Sequence, residues 1–265
     1  MSSATKRPTF ILTGGSRGIG LSCLKLLLKP PVAANVVSLS RSFPPELEEL
    51  KKSHDQSLLV IQGNVAKDED NKLAVESAIK TFGSIEGLIL NSGIIKFERI
   101  DDPISNNQGS LESWKEVFDV NFFSLVSILK HSLVHLRNSH GRVVFVSSGA
   151  SVGGIASWGS YNTSKAAMNS LCRTLASEEP KITSIALRPG VVDTEMQAKL
   201  RNEAKEVMNS PNYKHFHGLY ENSKLVKPEG PAEVITNLAV RAEEKLNGQF
   251  LSWDSEELAS YRTQS

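Results

Sequence analysis

The chain has 265 residues, of which 40% are hydrophobic and 22% are charged, and its net charge is +1. These proportions are ordinary for a soluble globular protein, and the length suits one large domain, 1–265, better than two. A charge so close to zero offers no electrostatic footprint for nucleic acid or for an anionic membrane, so we expect neither as a partner.

Two features of the sequence predict a cytoplasmic location. The N-terminal segment "MSSATKRPTF" is polar and lacks the apolar core of a signal peptide, and no apolar run approaches the length of about 18 residues that a membrane span needs. Cys23 and Cys172 each lie in a segment with a helical pattern, so a disulfide framework is not expected and a reducing compartment is favoured. A receptor-read targeting signal is left open.

Seven short apolar segments have the character of β-strands, and helical patterns follow most of them. The predicted strands are 9–13, 35–40, 57–63, 86–93, 142–149, 182–190 and 248–253, and the predicted helices are 20–29, 44–53, 68–83, 111–138 and 160–178. Apolar strands that alternate with amphipathic helices are typical of a parallel sheet covered on both faces. The sequence therefore predicts an α/β fold, a Rossmann-type doubly wound parallel sheet of about seven strands with helices on both faces.

Residues 194–227 interrupt this alternation. The segment is rich in Asn, Lys, His and aromatic residues, and it is too long for an ordinary connection. We expect it to be irregular and to serve as a substrate lid. Its aromatic side chains, together with Trp158, are expected either to line a substrate pocket or to pack within the lid; they are Tyr213, Phe216 and Tyr220.

The segment "TGGSRGIG", residues 13–20, joins the first strand to the first helix and is open to two interpretations. Residues 14–18 match G-x-S-x-G, the pattern that places a nucleophilic serine between a strand and a helix in serine hydrolases. The longer pattern G-x-x-x-G-x-G permits a tight turn and the close approach of a pyrophosphate to the N–H groups of a helix. We favour the phosphate loop, because only the first strand, 9–13, precedes Ser16, too little to build a hydrolase sheet before it. Ser16 is then a cofactor contact.

A second group of polar residues follows the other strands or lies on the helices between them. "NSG" (91–93) ends the fourth strand, Ser148 ends the fifth, and Asn121 lies on the long helix between those two strands. Tyr161 and Lys165 are four residues apart on a helix and so are neighbours on one face. A tyrosine hydroxyl, with a usual pKa of about 10, is a poor acid, and a lysine ammonium beside it favours the phenolate and eases proton donation. The implied chemistry is protonation of an oxygen while hydride reaches the adjacent carbon.

Together these motifs resemble the short-chain dehydrogenase/reductase family over residues 9–252. The resemblance rests on "TGGSRGIG", "NSG", Asn121, Ser148 thirteen residues before Tyr161, the pattern Y-x-x-x-K, and "RPGVVDT" (188–194). It implies that Tyr161 is the general acid and that Ser148, rather than its neighbour Ser147, orients the carbonyl. It also implies that Lys165 lowers the tyrosine pKa and holds the nicotinamide ribose, and that Asn121 positions a water in a proton relay.

The resemblance further implies a set of cofactor contacts. They are Gly14, Ser16, Arg17, Ile19, Arg41, Asn64, Val65, Asn91, Gly93, Tyr161, Lys165, Val192 and Thr194. An acidic residue at the end of the second strand would bond the ribose 2′-hydroxyl of NAD(H) and repel a 2′-phosphate. The chain has Ser40 and Arg41 there, with Arg17 as a second cation nearby, so NADP(H) is predicted. Asn64 stands where the family usually has Asp, and its amide can still bond the adenine amino group.

Within the family, three segments look most like the fungal benzil reductases, which are related to the sepiapterin reductases. They are "VVFVSSGASVGGIASWGSYNTSKAAMNSL", "GVVDTEMQ" and "NGQFLSW". This likeness implies NADPH-dependent reduction of a small-molecule ketone, such as a 1,2-diketone, to a chiral hydroxyketone, by a homodimer or homotetramer. Because the six histidines show no metal-ligand spacing, we expect no metal. The alternatives are another carbonyl class (a pterin side-chain diketone, a sugar ketone or an acyl ketone), a catalytically idle NADP(H) sensor, and a hydrolase that uses Ser16.

Overall fold

The computed structural model describes residues 7–100, 110–208 and 210–263. Seven strands form one sheet in the order β3-β2-β1-β4-β5-β6-β7, and every pairing is parallel. The strands are β1 (Thr9–Thr13), β2 (Asn35–Ser40), β3 (Leu58–Gln62), β4 (Gly87–Leu90), β5 (Arg142–Val146), β6 (Thr183–Arg188) and β7 (Phe250–Ser252). The prediction of a doubly wound parallel sheet of about seven strands is confirmed.

Helices cover both faces of this sheet. They are α1 (Gly18–Leu28), α2 (Pro45–Ser53), α3 (Asp68–Phe82), α4 (Leu111–Phe118), α5 (Ser124–Ser139), α6 (Gly159–Glu178), α7 (Glu195–Glu203), α8 (Ser210–Glu221) and α9 (Glu229–Arg241). Side chains of α1, α2 and α9 contribute to the apolar core on one face, and those of α3, α5 and α6 contribute to the core on the other face.

The side chains of strand β1 are divided between two apolar cores, one on each face of the sheet. All of its residues are buried, because both faces of the sheet are covered. Successive side chains of a strand point to opposite faces, so Phe10 and Leu12 join one core while Ile11 joins the other. The two cysteines are divided in the same way, with Cys23 in the first core and Cys172 in the second. Burial raises the pKa of each thiol to about 12, so both are protonated at neutral pH.

The strand order determines where a ligand can bind. The chain runs outward from β1 through β2 to β3, and then returns to place β4 on the other side of β1. Where the order of an open parallel sheet reverses in this way, the helices leave in opposite directions and a crevice opens at the carboxyl ends of the strands. The glycine loop after β1 and the "NSG" segment after β4 both border that crevice.

Three helical features differ from the sequence prediction. The segment expected to be irregular contains α7 and α8, and α9 was not predicted at all. The long helix expected over 111–138 is interrupted by a π-helical turn, Asp119–Phe123. Tyr213, Phe216 and Leu219 recur at helical spacing along α8 and pack in one apolar cluster, which stabilises this helix. The assignment of 194–227 as a lid stays a prediction.

One helical span meets the length and composition expected of a membrane helix, although charged residues such as Asp119 and Lys130 interrupt it. It is Leu111–Ser139, and 44% of its most apolar window is buried inside the protein. The helix of a soluble core passes the same test, and Leu125, Ile128 and Leu129 of this span lie in the second core. The apolar character of the span is therefore explained by its packing against the sheet.

Candidate active site

A cavity of about 1260 Å³ opens at the carboxyl ends of the strands. Ser148 and all the predicted cofactor contacts line it, namely Gly14, Ser16, Arg17, Ile19, Arg41, Asn64, Val65, Asn91, Gly93, Tyr161, Lys165, Val192 and Thr194. Asn121 does not line it. Pockets for one small ligand usually measure about 300–1000 Å³, so this cavity has room for a dinucleotide and a second molecule beside it.

The glycine loop is held against the end of β4. Gly14 has φ +73°, a conformation that favours glycine, and a Cβ atom on Gly20 would lie 2.1 Å from the carbonyl oxygen of Gly14. The Asn91 amide donates to the carbonyls of Thr13 and Gly14, both at 3.1 Å. No side chain caps the first turn of α1, so its N–H groups are free to meet the oxygens of an anion. These features suit a pyrophosphate.

The hydroxyl of Ser16 has a serine, rather than a histidine, as its partner. Ser42 donates a hydrogen bond to the Ser16 hydroxyl oxygen over 3.1 Å. A hydrolytic serine needs a base within hydrogen-bond distance, and Ser42 cannot serve as one. The geometry therefore favours Ser16 as a ligand contact.

Arg17 is already paired in this structure. Its guanidinium forms an ion pair with Glu195, in the first turn of α7. Both side chains are largely exposed, so the pair is weak and another anion can replace the Glu195 carboxylate. Glu195 was not among the predicted site residues, and its only local signal is its acidic side chain directly after Thr194. Arg41 lines the same cavity from the end of β2.

Tyr161 lies near the start of α6 and is buried. Burial raises the pKa of its hydroxyl, and a hydrogen bond with the Ser148 side chain opposes part of that rise. The neighbouring Ser147 hydroxyl instead donates to the Asn169 side chain over 2.6 Å. The structure thus brings Ser148, the serine selected by the thirteen-residue spacing, to Tyr161.

Lys165 lies one helical turn after Tyr161 and is also buried. Its Nζ donates to the carbonyl of Val146 over 2.7 Å and lies 5.8 Å from the centroid of the Tyr161 ring. Burial lowers the pKa of the ammonium to about 7. That Lys165 lowers the pKa of Tyr161 stays a prediction, since in this structure burial is the larger effect on the tyrosine and the lysine, desolvated itself, is only partly charged near neutral pH.

Asn121 lies in the π-helical turn and holds the loop after β4 by hydrogen bonds. Its side-chain oxygen accepts from the backbone N–H of Ile94 at 2.8 Å, and its amide donates to the carbonyl of Ile94 at 2.9 Å and to Ser164 at 3.1 Å. Both amide hydrogens therefore have protein acceptors. A water relay through Asn121, which stays a prediction, cannot use these two donors.

The remaining contacts lie in firmly bonded turns. The Asn64 side-chain oxygen accepts from the N–H of Ala66 at 3.1 Å, and the Asn64 backbone donates to Asp70 at 2.7 Å. Thr194 donates to the carbonyl of Val192 at 3.3 Å, and its methyl group would lie 3.1 Å from a Cβ atom on Gly18. The base of the predicted lid therefore touches the glycine loop.

The comparisons with known proteins agree with this geometry. A model of the short chain dehydrogenase family matches residues 8–205. The chain belongs to this family. As a short-chain dehydrogenase it is an oxidoreductase that acts on CH–OH or C=O groups, and the family uses nicotinamide cofactors.

Fungal short-chain dehydrogenases are among its similar relatives. An uncharacterized oxidoreductase of Schizosaccharomyces pombe is 41% identical over 253 residues, which cover 95% of this chain and 98% of the relative. A benzil reductase ((S)-benzoin forming) of Saccharomyces cerevisiae is 34% identical over 255 residues, covering 94% and 96%. The crystal structure of a short chain dehydrogenase/reductase from Saccharomyces cerevisiae superposes with a TM-score of 0.91 at 34% identity, covering 97% of this chain and 100% of that one. The predicted likeness to fungal benzil reductases is confirmed.

Proposed function

We propose that this short-chain dehydrogenase uses NADP(H) to reduce one carbonyl group of a neutral 1,2-diketone such as benzil, giving a chiral hydroxyketone. The observation that carries the proposal is the buried hydroxyl of Tyr161 beside the partly buried hydroxyl of Ser148, in the same cavity as the glycine loop. A second candidate, hydrolysis by Ser16, lacks a base beside the serine.

The chain's own residues fit a dinucleotide. The close approach of Gly20 to Gly14 leaves room for phosphate oxygens at the start of α1, and Asn91 fixes the facing loop. Lys165 and Thr194 also line the cavity and would hold a nicotinamide ribose and carboxamide. A bound nicotinamide cofactor supplies the hydride.

Tyr161 and Ser148 supply the proton and the orientation. With its own hydrogen-bond donor, Ser148 holds the substrate oxygen in place, and Tyr161 donates a proton to that oxygen as negative charge develops on it. Because burial raises its pKa, Tyr161 retains the proton until this transfer. When its side-chain amine is protonated, Lys165 then stabilises the tyrosinate that forms.

The preference for NADP(H) rests on charge. No carboxylate directly follows β2, where Arg41 and Ser42 line the cavity, and the nearest acidic residue on this side, Glu46 of α2, is paired with Lys25. A 2′-phosphate would form charge-assisted bonds with Arg41 and, by displacing Glu195, with Arg17. The exposed Arg17–Glu195 pair contributes little free energy, so the exchange costs little.

The substrate class rests on the walls of the cavity beside Tyr161. Apolar and aromatic side chains line that part, namely Ile95, Ile155, Trp158, Met196, Leu200 and Phe216. Such walls favour a flat, uncharged molecule. The benzil reductase ((S)-benzoin forming) of Saccharomyces cerevisiae supports the same class.

Turnover of benzil tests the proposal. NADPH oxidation is followed with benzil, a sugar ketone, a pterin side-chain diketone and an acyl ketone, and the benzil product is separated by chiral chromatography. We expect benzil to react fastest and to give mainly one enantiomer of benzoin. A racemic product, or rapid turnover of an acyl ketone with none of benzil, would refute the diketone assignment, and NADPH binding without turnover of any carbonyl would favour the idle sensor.

Assembly and location are also proposals. We infer a homodimer or homotetramer by analogy with the family, which analytical ultracentrifugation would measure. The two buried free cysteines suit a reducing compartment such as the cytoplasm.

Within the described ranges, no three His, Cys, Asp or Glu side chains are grouped so as to hold a metal ion.

A further inference from the structure

Helices α7 and α8 of the predicted lid contribute side chains to a third apolar cluster that also contains Trp158 and Tyr161. This cluster is separate from the two cores that flank the sheet. Trp158 links the two parts of this cluster, because its ring centroid lies 5.7 Å from that of Tyr161 and 5.0 Å from that of Phe216. The Tyr161 ring meets it at 90° and the Phe216 ring stacks on it at 21°. The proposed proton donor and the lid are therefore in contact with the same side chain.

Trp158 is the fixed member of this cluster. It precedes α6, its N–H donates to Ile155 at 3.2 Å, and its carbonyl accepts from the N–H of Asn162 at 2.7 Å. The preceding residue, Ser157, accepts a hydrogen bond from the backbone N–H of Glu98 at 2.8 Å. Since the backbone is bonded on both sides, the ring forms a firm wall of the cavity.

Phe216 is the member that a ligand would have to displace. It lies on α8, outside the sheet and its two cores, and its carbonyl accepts a hydrogen bond from the Gln197 side chain at 3.1 Å. Rings stacked at 5.0 Å leave no space between them, because carbon atoms in contact are about 3.5–4.0 Å apart. Both rings line the cavity, so a flat group can lie on this face of Trp158 only after Phe216 has moved away.

We propose that Phe216 occupies the place of a substrate aryl group against Trp158, and that this competition sets the selectivity of the enzyme between aryl and alkyl ketones. The inference rests on the proposed carbonyl reductase function. An aryl ketone replaces the Phe216 ring, so one aromatic stack is exchanged for another and α8 shifts outward. An alkyl diketone leaves the Trp158–Phe216 stack in place. Because Trp158 touches Tyr161, a ring stacked on it places the attached carbonyl beside the proton donor.

The variant Phe216→Ala tests this competition. We expect its Kd for benzil, measured by equilibrium dialysis with and without NADP+, to fall about three- to tenfold, since an aromatic pair contributes a factor of that size beyond the area it buries. The KM for 2,3-butanedione should not fall by the same factor, so the preference of the variant for benzil over 2,3-butanedione should rise. Tyr220→Ala is the matched control, because Tyr220 lies on the same helix, is 50% exposed and stacks on Arg201 outside the cavity; it should change neither value.

A second variant and a separate assay make the result decisive. If Phe216→Ala is insoluble, Phe216→Val leaves the place of the ring open while keeping an apolar side chain. An unchanged Kd for benzil, or an equal change for both diketones, would overturn the inference. The expected shift in Kd without any benzil reduction by the wild-type protein would instead refute the proposed function alone.

Discussion

Lys165 and Tyr161 together predict how the reduction rate depends on pH. Burial lowers the pKa of the Lys165 ammonium to about 7 and raises the pKa of the Tyr161 hydroxyl. A group is protonated below its pKa, so the ammonium is lost as the pH rises through about 7, whereas the tyrosine keeps its proton. If the ammonium stabilises the tyrosinate, kcat/KM falls by about fiftyfold from pH 7 to pH 9, because half of the ammonium remains at pH 7 and about one hundredth at pH 9.

The assay is the pH profile of kcat/KM for benzil reduction at constant ionic strength and saturating NADPH. Lys165→Met removes the titrating group, so its rate should be low and should not change across this range. Lys165→Arg keeps a charge at every pH of the range, so its profile should also be flat. The Kd for NADPH, measured at each pH, separates catalysis from cofactor binding. A wild-type rate that stays constant up to pH 9, or a decline that persists in Lys165→Met, would refute the reasoning.

Three further substitutions test the proton donor, the cofactor preference and the glycine loop. Tyr161→Phe keeps the ring against Trp158, so kcat should fall at least about a hundredfold while NADPH still binds; wild-type turnover would contradict the assignment. Arg41→Ala should weaken NADPH by about 1.5–3 kcal/mol in a fluorescence titration and leave NADH unaffected, whereas an equal loss for both would show that Arg41 does not bind the phosphate. Gly20→Ala would place a Cβ atom 2.1 Å from the Gly14 carbonyl, so cofactor binding should be lost and urea should unfold the variant more easily; unchanged values of both would contradict the described loop.

The strands and the catalytic spacing could be predicted because their signals are local. Segments 9–13 and 35–40 are bounded in the structure as in the prediction, since both are uninterrupted strand-forming runs followed by turn residues. The strand expected over 86–93 ends earlier, at Leu90, because Asn91 leaves the sheet to bond the glycine loop. The thirteen-residue spacing between Ser148 and Tyr161 is likewise local to one strand–helix unit.

The features that sequence reasoning missed depend on distant contacts. Arg17 and Glu195 are 178 residues apart, and neither residue alone predicts the pair. The helical structure of α8 depends on packing, among other contacts, of Phe216 against Trp158, which lies before α6. The π-helical turn at Asn121 is supported by bonds to Ile94, on the loop after another strand. Each of these depends on a surface that another part of the chain provides.

Because one cysteine lies in each core, the reactivity of each thiol reports how often that part of the protein opens. A buried thiol with a pKa of about 12 reacts with a labelling reagent only while the helix that carries it is open. Cys23 lies on α1, directly behind the glycine loop, and Cys172 lies on α6 with Tyr161 and Lys165. The labelling rate of Cys23 would therefore measure the opening of α1, beside the phosphate loop, and that of Cys172 would measure the opening of α6, which carries the proton donor. A dinucleotide that slowed one rate more than the other would show which helix it stabilises more.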